Sequence, residues 1–363
     1  MVFLATTHSN RSGGIMTDPH IGRTSFAAVL FVVGIQSIIM PQSAFGFAAD
    51  ISRIESRAEH GAVAQEMELG AAYLVGNGVP RDEKKAAYWY QKAANAGDPK
   101  AQQEIGYFYQ TGVGVDRDPG RAVQWYERAV AGGLTGAKVN LAVAYLLGLG
   151  VRKDPEFAIQ LFREAAQKGN GAAACYLGDI YYFGMGVSKD EPEARSWFEA
   201  GAKLHNAKAQ FSLAMMLFRQ DNLATKDEIK LLRESAHGGY VLAMHQLGLF
   251  FVRNPALAAS PTEATDLLEE AAADGSWRSS VLLGILARDG RAGEAQDKRA
   301  AYYHFRIATL QGGDSVTTLV TSDLRLLTSQ LTVSDISSLD SEAIAWMEKY
   351  QRACWQISEC AKD

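Results

Sequence analysis

The sequence has few cysteines, few prolines and no long run of one charge. Three cysteines are too few for a small disulfide-stapled scaffold. The 36 basic and 41 acidic side chains are interspersed and give a formal net charge of −5, which argues against a nucleic-acid-binding protein with its usual basic patch. Disorder is excluded as the main state, because hydrophobic residues make up 47% of the chain. Glycine is abundant, with 34 residues against 9 prolines, which indicates glycine at recurring structural positions.

One long apolar run, residues 26–40, lies near the N-terminus and follows Arg23. Small residues follow the run at Ala44, Gly46 and Ala48. This order is typical of a cleaved secretory signal peptide, and the run is shorter than the about 20 residues that a membrane span requires. We therefore assign residues 1–48 to a signal peptide, with Met16 as an alternative start. The prediction is a periplasmic or secreted bacterial protein, with an uncleaved membrane anchor as the alternative.

A repeat of 36 residues occupies most of the remaining chain. Each unit has a small anchor residue after an aliphatic one, at Gly70, Gly106, Ala142, Gly178, Ala214, Gly248 and Gly284. Tyrosine follows three positions later in the first four units, at Tyr73, Tyr109, Tyr145 and Tyr181. A tryptophan lies nineteen positions after the anchor in three units, at Trp89, Trp125 and Trp197. The spacing predicts two amphipathic helices per unit. Glycine inside a helix costs about 1 kcal/mol relative to alanine, so the recurring glycine predicts a closely approaching neighbouring helix.

The loop between the two helices has a Gly-x-Gly-Val motif in units one to four. The first glycine of each motif is predicted to end the first helix in a left-handed conformation; these glycines are Gly76, Gly112, Gly148 and Gly184. An aspartate shortly afterwards is predicted to cap the second helix; these residues are Asp82, Asp118, Asp154 and Asp190. His205 is predicted to lie in a different turn of the repeat, at a position where the other closely matching units have glycine.

Together these positions resemble the Sel-one-like repeat, a relative of the tetratricopeptide repeat, over residues 65–312. The resemblance implies an all-α fold, a right-handed α-solenoid of about seven two-helix repeats. Residues 49–64 are predicted to form an N-terminal capping helix, and residues 313–363 C-terminal capping helices. Within the latter segment, Thr332 and Asp335 have the spacing of a helical capping box.

No catalytic or metal-binding motif accompanies the repeat, so we predict a non-enzymatic protein without a cofactor or a metal. The Gly-x-Gly segments lack the remainder of a phosphate-binding loop. Cys175 is interpreted as a buried small hydrophobe, and His304 as the packed aromatic residue of unit seven. Cys354 and Cys360 form a disulfide only if the helix breaks between them, and both alternatives stay open.

The function is predicted to be binding of a protein or peptide, with no nucleic acid and no membrane insertion after signal cleavage; the oligomeric state stays open. The tetratricopeptide comparison implies that the first helices line a concave face. The predicted contact residues on it are Tyr107, Gln110, Asp179, Tyr182, Phe211, Met215 and Phe218. These side chains either form a groove or fill a tight superhelix. The resemblance implies an envelope scaffold in assembly, surface-polysaccharide regulation or signalling. The alternative is an envelope hydrolase of the penicillin-binding or sugar-cleaving type, which uses paired carboxylates.

Overall fold

The computed structural model describes Ile54 and residues 58–221, 226–291 and 295–354. The predicted signal peptide and the Cys354–Cys360 pairing lie outside the described side chains. Throughout the described ranges the regular secondary structure is helical, as predicted. Residues 58 and 59, in the predicted N-terminal capping segment, are helical, and the Lys92 ammonium donates a hydrogen bond to the Ala58 carbonyl over 2.8 Å.

Fifteen α-helices of the described chain follow one another as seven packed pairs and a final helix. The first helices of seven pairs are α1 (Val63–Val75), α3 (Pro99–Thr111), α5 (Thr135–Leu147), α7 (Gly171–Phe183), α9 (Ala207–Asp221), α11 (Val241–Arg253) and α13 (Trp277–Asp289). The second helices are α2 (Glu83–Asn95), α4 (Pro119–Ala131), α6 (Pro155–Gln167), α8 (Glu191–Lys203), α10 (Lys226–His237), α12 (Glu263–Ala273) and the first part of α14 (Lys298–Thr328). Each helix packs mainly against its two sequence neighbours, which is the arrangement of an α-solenoid.

The C-terminal part begins where α14 breaks at Gly313, whose φ is 63°. The second half of α14 then packs against α15 (Val333–Cys354). The predicted capping box starts α15, because the Asp335 amide donates to the Thr332 hydroxyl over 3.1 Å and the Thr332 amide donates to the Asp335 carboxylate over 3.3 Å.

The anchor glycines allow an aromatic ring to lie directly on the first helix. A Cβ atom at Gly106 would lie 2.7 Å from the ring of Tyr126, and one at Gly284 would lie 2.7 Å from the ring of Phe305. The predicted close approach is therefore confirmed, but the approaching group is a side chain rather than helix backbone, twenty positions after Gly106 and twenty-one after Gly284. His304 does not take the aromatic position of unit seven as predicted, because the next residue, Phe305, covers Gly284.

The second loop glycine joins neighbouring units. A Cβ atom at Gly114 would overlap the backbone carbonyl of Glu83, which opens the second helix of the preceding unit. Gly150 meets the backbone of Pro119 in the same way, and Gly186 meets the side chain of Pro155. These three glycines also have positive φ, a conformation that favours glycine. Successive loops are therefore stacked in a fixed register.

The helix ends follow the predicted capping chemistry. The four loop aspartates accept hydrogen bonds of 3.0 Å from backbone amides three residues later. The four first loop glycines are left-handed C-caps, with φ between 71° at Gly184 and 86° at Gly112. His205 has a φ of 56°, which confirms that it occupies a turn position suited to glycine.

Candidate protein-interaction face

The first helices supply all seven predicted contact residues, and three of these side chains are buried. Gln110 accepts a 2.6 Å hydrogen bond from the Tyr126 hydroxyl. Asp179 pairs with Lys208, and Phe218 packs in the hydrophobic cluster around α10 and α11. At these three positions the helices fill the space themselves, so an incoming partner has little access to the side chains.

The other four predicted contact residues, Tyr107, Tyr182, Phe211 and Met215, are partly exposed. The ring of Phe211 lies 5.2 Å from that of Tyr240, so it belongs partly to the packing between units five and six. The Tyr182 hydroxyl accepts a hydrogen bond from Arg219, which connects α7 to α9. We define these four residues as the first-helix face.

An ion pair links two neighbouring first helices beneath this face. The Lys208 ammonium lies 2.6 Å from the Asp179 carboxylate and 5.6 Å from the centre of the Tyr176 ring. Burial alone would lower the pKa of Lys208, but the Asp179 charge raises it above its ordinary value. Burial also raises the pKa of the nearby Cys175 thiol, so this cysteine stays protonated and unreactive. Its predicted role as a buried small hydrophobe is therefore confirmed.

A buried carboxyl group, Glu104, escaped the sequence interpretation. It lies two positions before the anchor of unit two and is 6% exposed. Burial raises its pKa to about 8, so the group is mostly protonated at neutral pH. Burial, followed by the Glu104 charge, in turn raises the pKa of both Tyr90 and Tyr126. The equivalent position holds Glu68 or Asn140 in neighbouring units, so the sequence offered no signal of burial here.

The buried carboxylates are distributed over separate helices: Glu66 on α1, Glu104 on α3, Asp179 on α7 and Glu228 on α10. Two surface depressions of the described chain lie along α15 and at the starts of α1 and α3, and none of these four residues lines either. A glycoside hydrolase requires two carboxyl groups about 5–9.5 Å apart across a substrate site. Neither of these two depressions is lined by such a pair.

One serine–histidine contact resembles catalytic geometry but serves packing. The Nδ1 atom of His245 lies 3.0 Å from the hydroxyl of Ser279, which donates in turn to the hydroxyl of Ser276. Ser279 is completely buried and therefore inaccessible to a substrate. Burial, then the Arg278 charge, lowers the pKa of His245 to about 4, so its ring is neutral at pH 7.

The paired helices and their recurring glycine contacts define a helical-repeat protein. The Sel1 repeat family matches residues 66–98, 99–134, 136–170, 171–206, 207–230 and 279–313, more than half of the sequence. The chain belongs to this family, whose members are typically protein-interaction scaffolds. Residues 231–278 match no repeat of the family, although α11 and α12 pack as a pair and Gly248 lies against Leu268 as in the other units.

The chain is similar to solved structures of repeat proteins. A Sel1 repeat protein from Oxalobacter formigenes is 25% identical with a TM-score of 0.55, over 76% of this chain and 80% of that one. The protein c5321, described as a protective antigen of uropathogenic Escherichia coli with an SLR fold, is 24% identical with a TM-score of 0.46, over 88% of this chain and 75% of that one. No curated protein matches the sequence.

No helix of the described chain combines the length and the apolar character that crossing a bilayer requires.

Proposed function

We propose that this chain is an exported, non-enzymatic scaffold of the bacterial cell envelope that binds a protein partner through its first-helix face. The observation that carries the proposal is the partial exposure of large apolar side chains on three of the first helices: Tyr107 on α3, Tyr182 on α7, and Phe211 and Met215 on α9. Aromatic residues dominate the energy of many protein interfaces. Export rests on the signal-like residues 1–48.

Two further observations favour a scaffold over the alternative envelope hydrolase. The buried carboxylates on α1, α3, α7 and α10 line neither the depression along α15 nor the one at the starts of α1 and α3. The Ser279 hydroxyl next to His245 has no exposed surface. Roles in envelope assembly, surface-polysaccharide regulation or signalling are consistent with a scaffold of this kind.

The test uses the mature protein as bait in envelope extract, with mass spectrometry of the retained proteins. We expect Tyr107→Ala combined with Tyr182→Ala to abolish retention of the partner with little change in melting temperature. Each side chain buried on binding contributes about 1.5–3 kcal/mol, so two such losses weaken the complex by at least a hundredfold.

Tyr88→Ala is the matched control, because Tyr88 lies on the second helix α2 and is 60% exposed. This variant should retain the partner like the wild type. A sharp fall in the melting temperature of the double variant would show that Tyr107 and Tyr182 are packing residues. Full retention by a folded double variant would place the binding site elsewhere.

A further inference from the structure

The chain contains two asparagine–glycine pairs, and the fold treats them differently. Asn77–Gly78 lies in the loop between α1 and α2, and Asn170–Gly171 lies where α7 begins. An asparagine followed by glycine can react with its own main chain, because glycine has no side chain to hinder the approach of its backbone nitrogen to the preceding side chain. The local structure decides whether that approach takes place.

The first pair is exposed and free of hydrogen bonds that would restrain it. Both residues are exposed and lie outside the helices. Among the described residues, neither the Asn77 side-chain amide nor the Gly78 backbone N–H has a hydrogen-bond partner. Gly78 also has a φ of 72°, a conformation that favours glycine. The Asn77 side chain can therefore turn towards the Gly78 nitrogen without breaking a hydrogen bond of the described chain.

The main chain on each side of this pair is held in place. The Gly76 and Asn77 amides donate to the Ala72 carbonyl over 2.8 and 3.0 Å. The Asp82 amide donates to the Tyr73 carbonyl over 2.8 Å. Water therefore reaches the reacting atoms while the flanking helix ends stay folded, so the reaction does not require unfolding.

The second pair is closed off by the start of a helix. The Asn170 side-chain oxygen caps α7 and accepts a hydrogen bond of 2.9 Å from the Ala173 amide. Gly171 is the first residue of that helix, and a Cβ atom there would lie 3.0 Å from the Asn206 side chain and 3.1 Å from that of Leu204. To reach the Gly171 nitrogen, the Asn170 side chain has to leave its capping position. The folded protein therefore protects this pair.

The loop itself does not need an asparagine at position 77. The equivalent position between the two loop glycines holds Val113, Leu149 and Met185 in units two to four. The first glycine of the loop is nevertheless a left-handed helix cap in all four units. None of the three apolar side chains has a carbonyl group that a backbone nitrogen could attack, so this chemistry is confined to the loop of unit one.

We propose that Asn77 is a site of spontaneous deamidation through a cyclic imide. The Gly78 backbone nitrogen gives up its proton to solvent and attacks Cγ of Asn77. A new bond from this nitrogen to Cγ forms, the bond from Cγ to Nδ2 breaks, and the amide nitrogen takes up a proton and leaves as ammonia. Water, the only co-reactant, then opens the imide at either carbonyl and gives aspartate or isoaspartate. The proposal does not depend on the proposed function.

Both products change the loop of unit one. Each adds a carboxylate four positions before Arg81, whose guanidinium pairs with Glu83 over 2.5 Å. Isoaspartate also places its Cβ atom in the main chain, which lengthens the loop by one methylene group between its two anchored sides. Unit one therefore changes in charge and in loop geometry as the molecule ages.

The test incubates the folded protein in water enriched in heavy oxygen, digests it and analyses the peptides by mass spectrometry. We expect the peptide with Asn77 to gain the mass of an amide-to-carboxyl exchange with heavy oxygen, and an isoaspartate-specific methyltransferase to label it. The rate should rise with pH, because the attacking nitrogen has to lose its proton. In the folded protein the Asn170 peptide should react at least about tenfold more slowly, because its helix cap has to be lost first.

Two controls separate the local fold from the sequence. In urea the two pairs should react at similar rates, because neither is then held by structure. Asn77→Val introduces the residue that unit two has at this position; this variant should stay folded by circular dichroism and lose both the mass gain and the methyltransferase label at this loop.

Three results would overturn the inference. The first is an unchanged Asn77 peptide in the folded protein under conditions that convert it in urea. The second is an equal rate for both pairs in the folded protein. The third is methyltransferase labelling of Asn77→Val at the level of the wild type, which would place the reactive residue elsewhere.

Discussion

Gly106 offers a direct test of how the units are packed. A Cβ atom at this position would lie 2.7 and 2.8 Å from two atoms of the Tyr126 ring and 3.3 Å from the Ala122 carbonyl oxygen. Tyr126 is completely buried, and its hydroxyl is held by Gln110 at 2.6 Å, so the ring has no free direction in which to move. Substitution of Gly106 therefore has to shift one of two helices.

Two opposing terms set the size of the effect. Replacing a helical glycine by alanine gains up to about 1 kcal/mol from helix propensity. Overpacking a well-filled interior costs about 1–3 kcal/mol. For Gly106→Ala we expect a net loss of about 1–2 kcal/mol, because overpacking exceeds propensity. Gly106→Val adds two methyl groups and should lose a few kcal/mol.

The assay is urea denaturation followed by circular dichroism. The slope of the unfolding free energy against urea concentration is compared between variants, because repeat arrays can unfold in parts. Gly120→Ala is the matched control, since it lies in the first turn of α4 and the nearest atom to its Cβ is 3.4 Å away. This change should be neutral or stabilising. In a Tyr126→Phe background the additional loss on Gly106→Ala should be smaller than in the wild type, because the ring is then released from Gln110. Unchanged stability of Gly106→Val would refute the role of the ring contact.

Three further outcomes can be measured independently. Folding raises the pKa of Glu104 from 4.5 to about 8, so the free energy of unfolding should fall as the pH rises from about 4.5 to 8. Glu104→Gln should flatten this fall and stabilise the protein at pH 8. Parallel pH curves for the variant and the wild type would contradict this prediction. Gly150→Ala should lower the free energy of unfolding by at least about 2 kcal/mol more than Gly169→Ala. Both glycines have positive φ, but only Gly150 also meets the backbone of a neighbouring unit. Equal denaturation midpoints for the two variants would argue against loop stacking. Fusion of residues 1–60 to a reporter that works only outside the cytoplasm should give reporter activity. The N-terminus of the mature protein should lie within residues 47–50. Recovery of the uncleaved protein in the membrane fraction would favour a membrane anchor instead.

The local structure of the repeat could be predicted because each feature depends on nearby residues. The left-handed glycines and the aspartate caps act within a few positions of their own helix ends. Unit six could also be predicted, because Gly248 keeps the spacing of the repeat although no repeat of the family model matches there. The sequence could not show which of two adjacent aromatic residues covers an anchor glycine, because that depends on how the two helices cross.

The candidate site was harder to predict, because exposure depends on how neighbouring units pack. Gln110, Asp179 and Phe218 share the predicted stripe with Tyr107 and Tyr182, yet the structure buries the first three. Their partners lie in other helices: Tyr126, Lys208 and the residues around α10. A pattern within one helix cannot reveal these contacts, so it cannot separate a binding groove from a filled interior.

The contacts between neighbouring units indicate which exposed positions can be substituted without loss of the fold. In units two to four, loop glycines meet the backbone or a proline of the preceding unit. In units five to seven these contacts use polar side chains, as where Arg233 meets Glu263 at 3.0 Å, and where Gln311 joins Ser280 to the Ala272 carbonyl over 2.7 Å each. Substituting such a side chain leaves a polar partner unpaired. In the first four units polar side chains join units as well, at Tyr109 with Gln91 and at Arg163 with Tyr181. Exposed positions of the first four units outside such contacts are free of this constraint, so partner chemistry can vary there without loss of the fold.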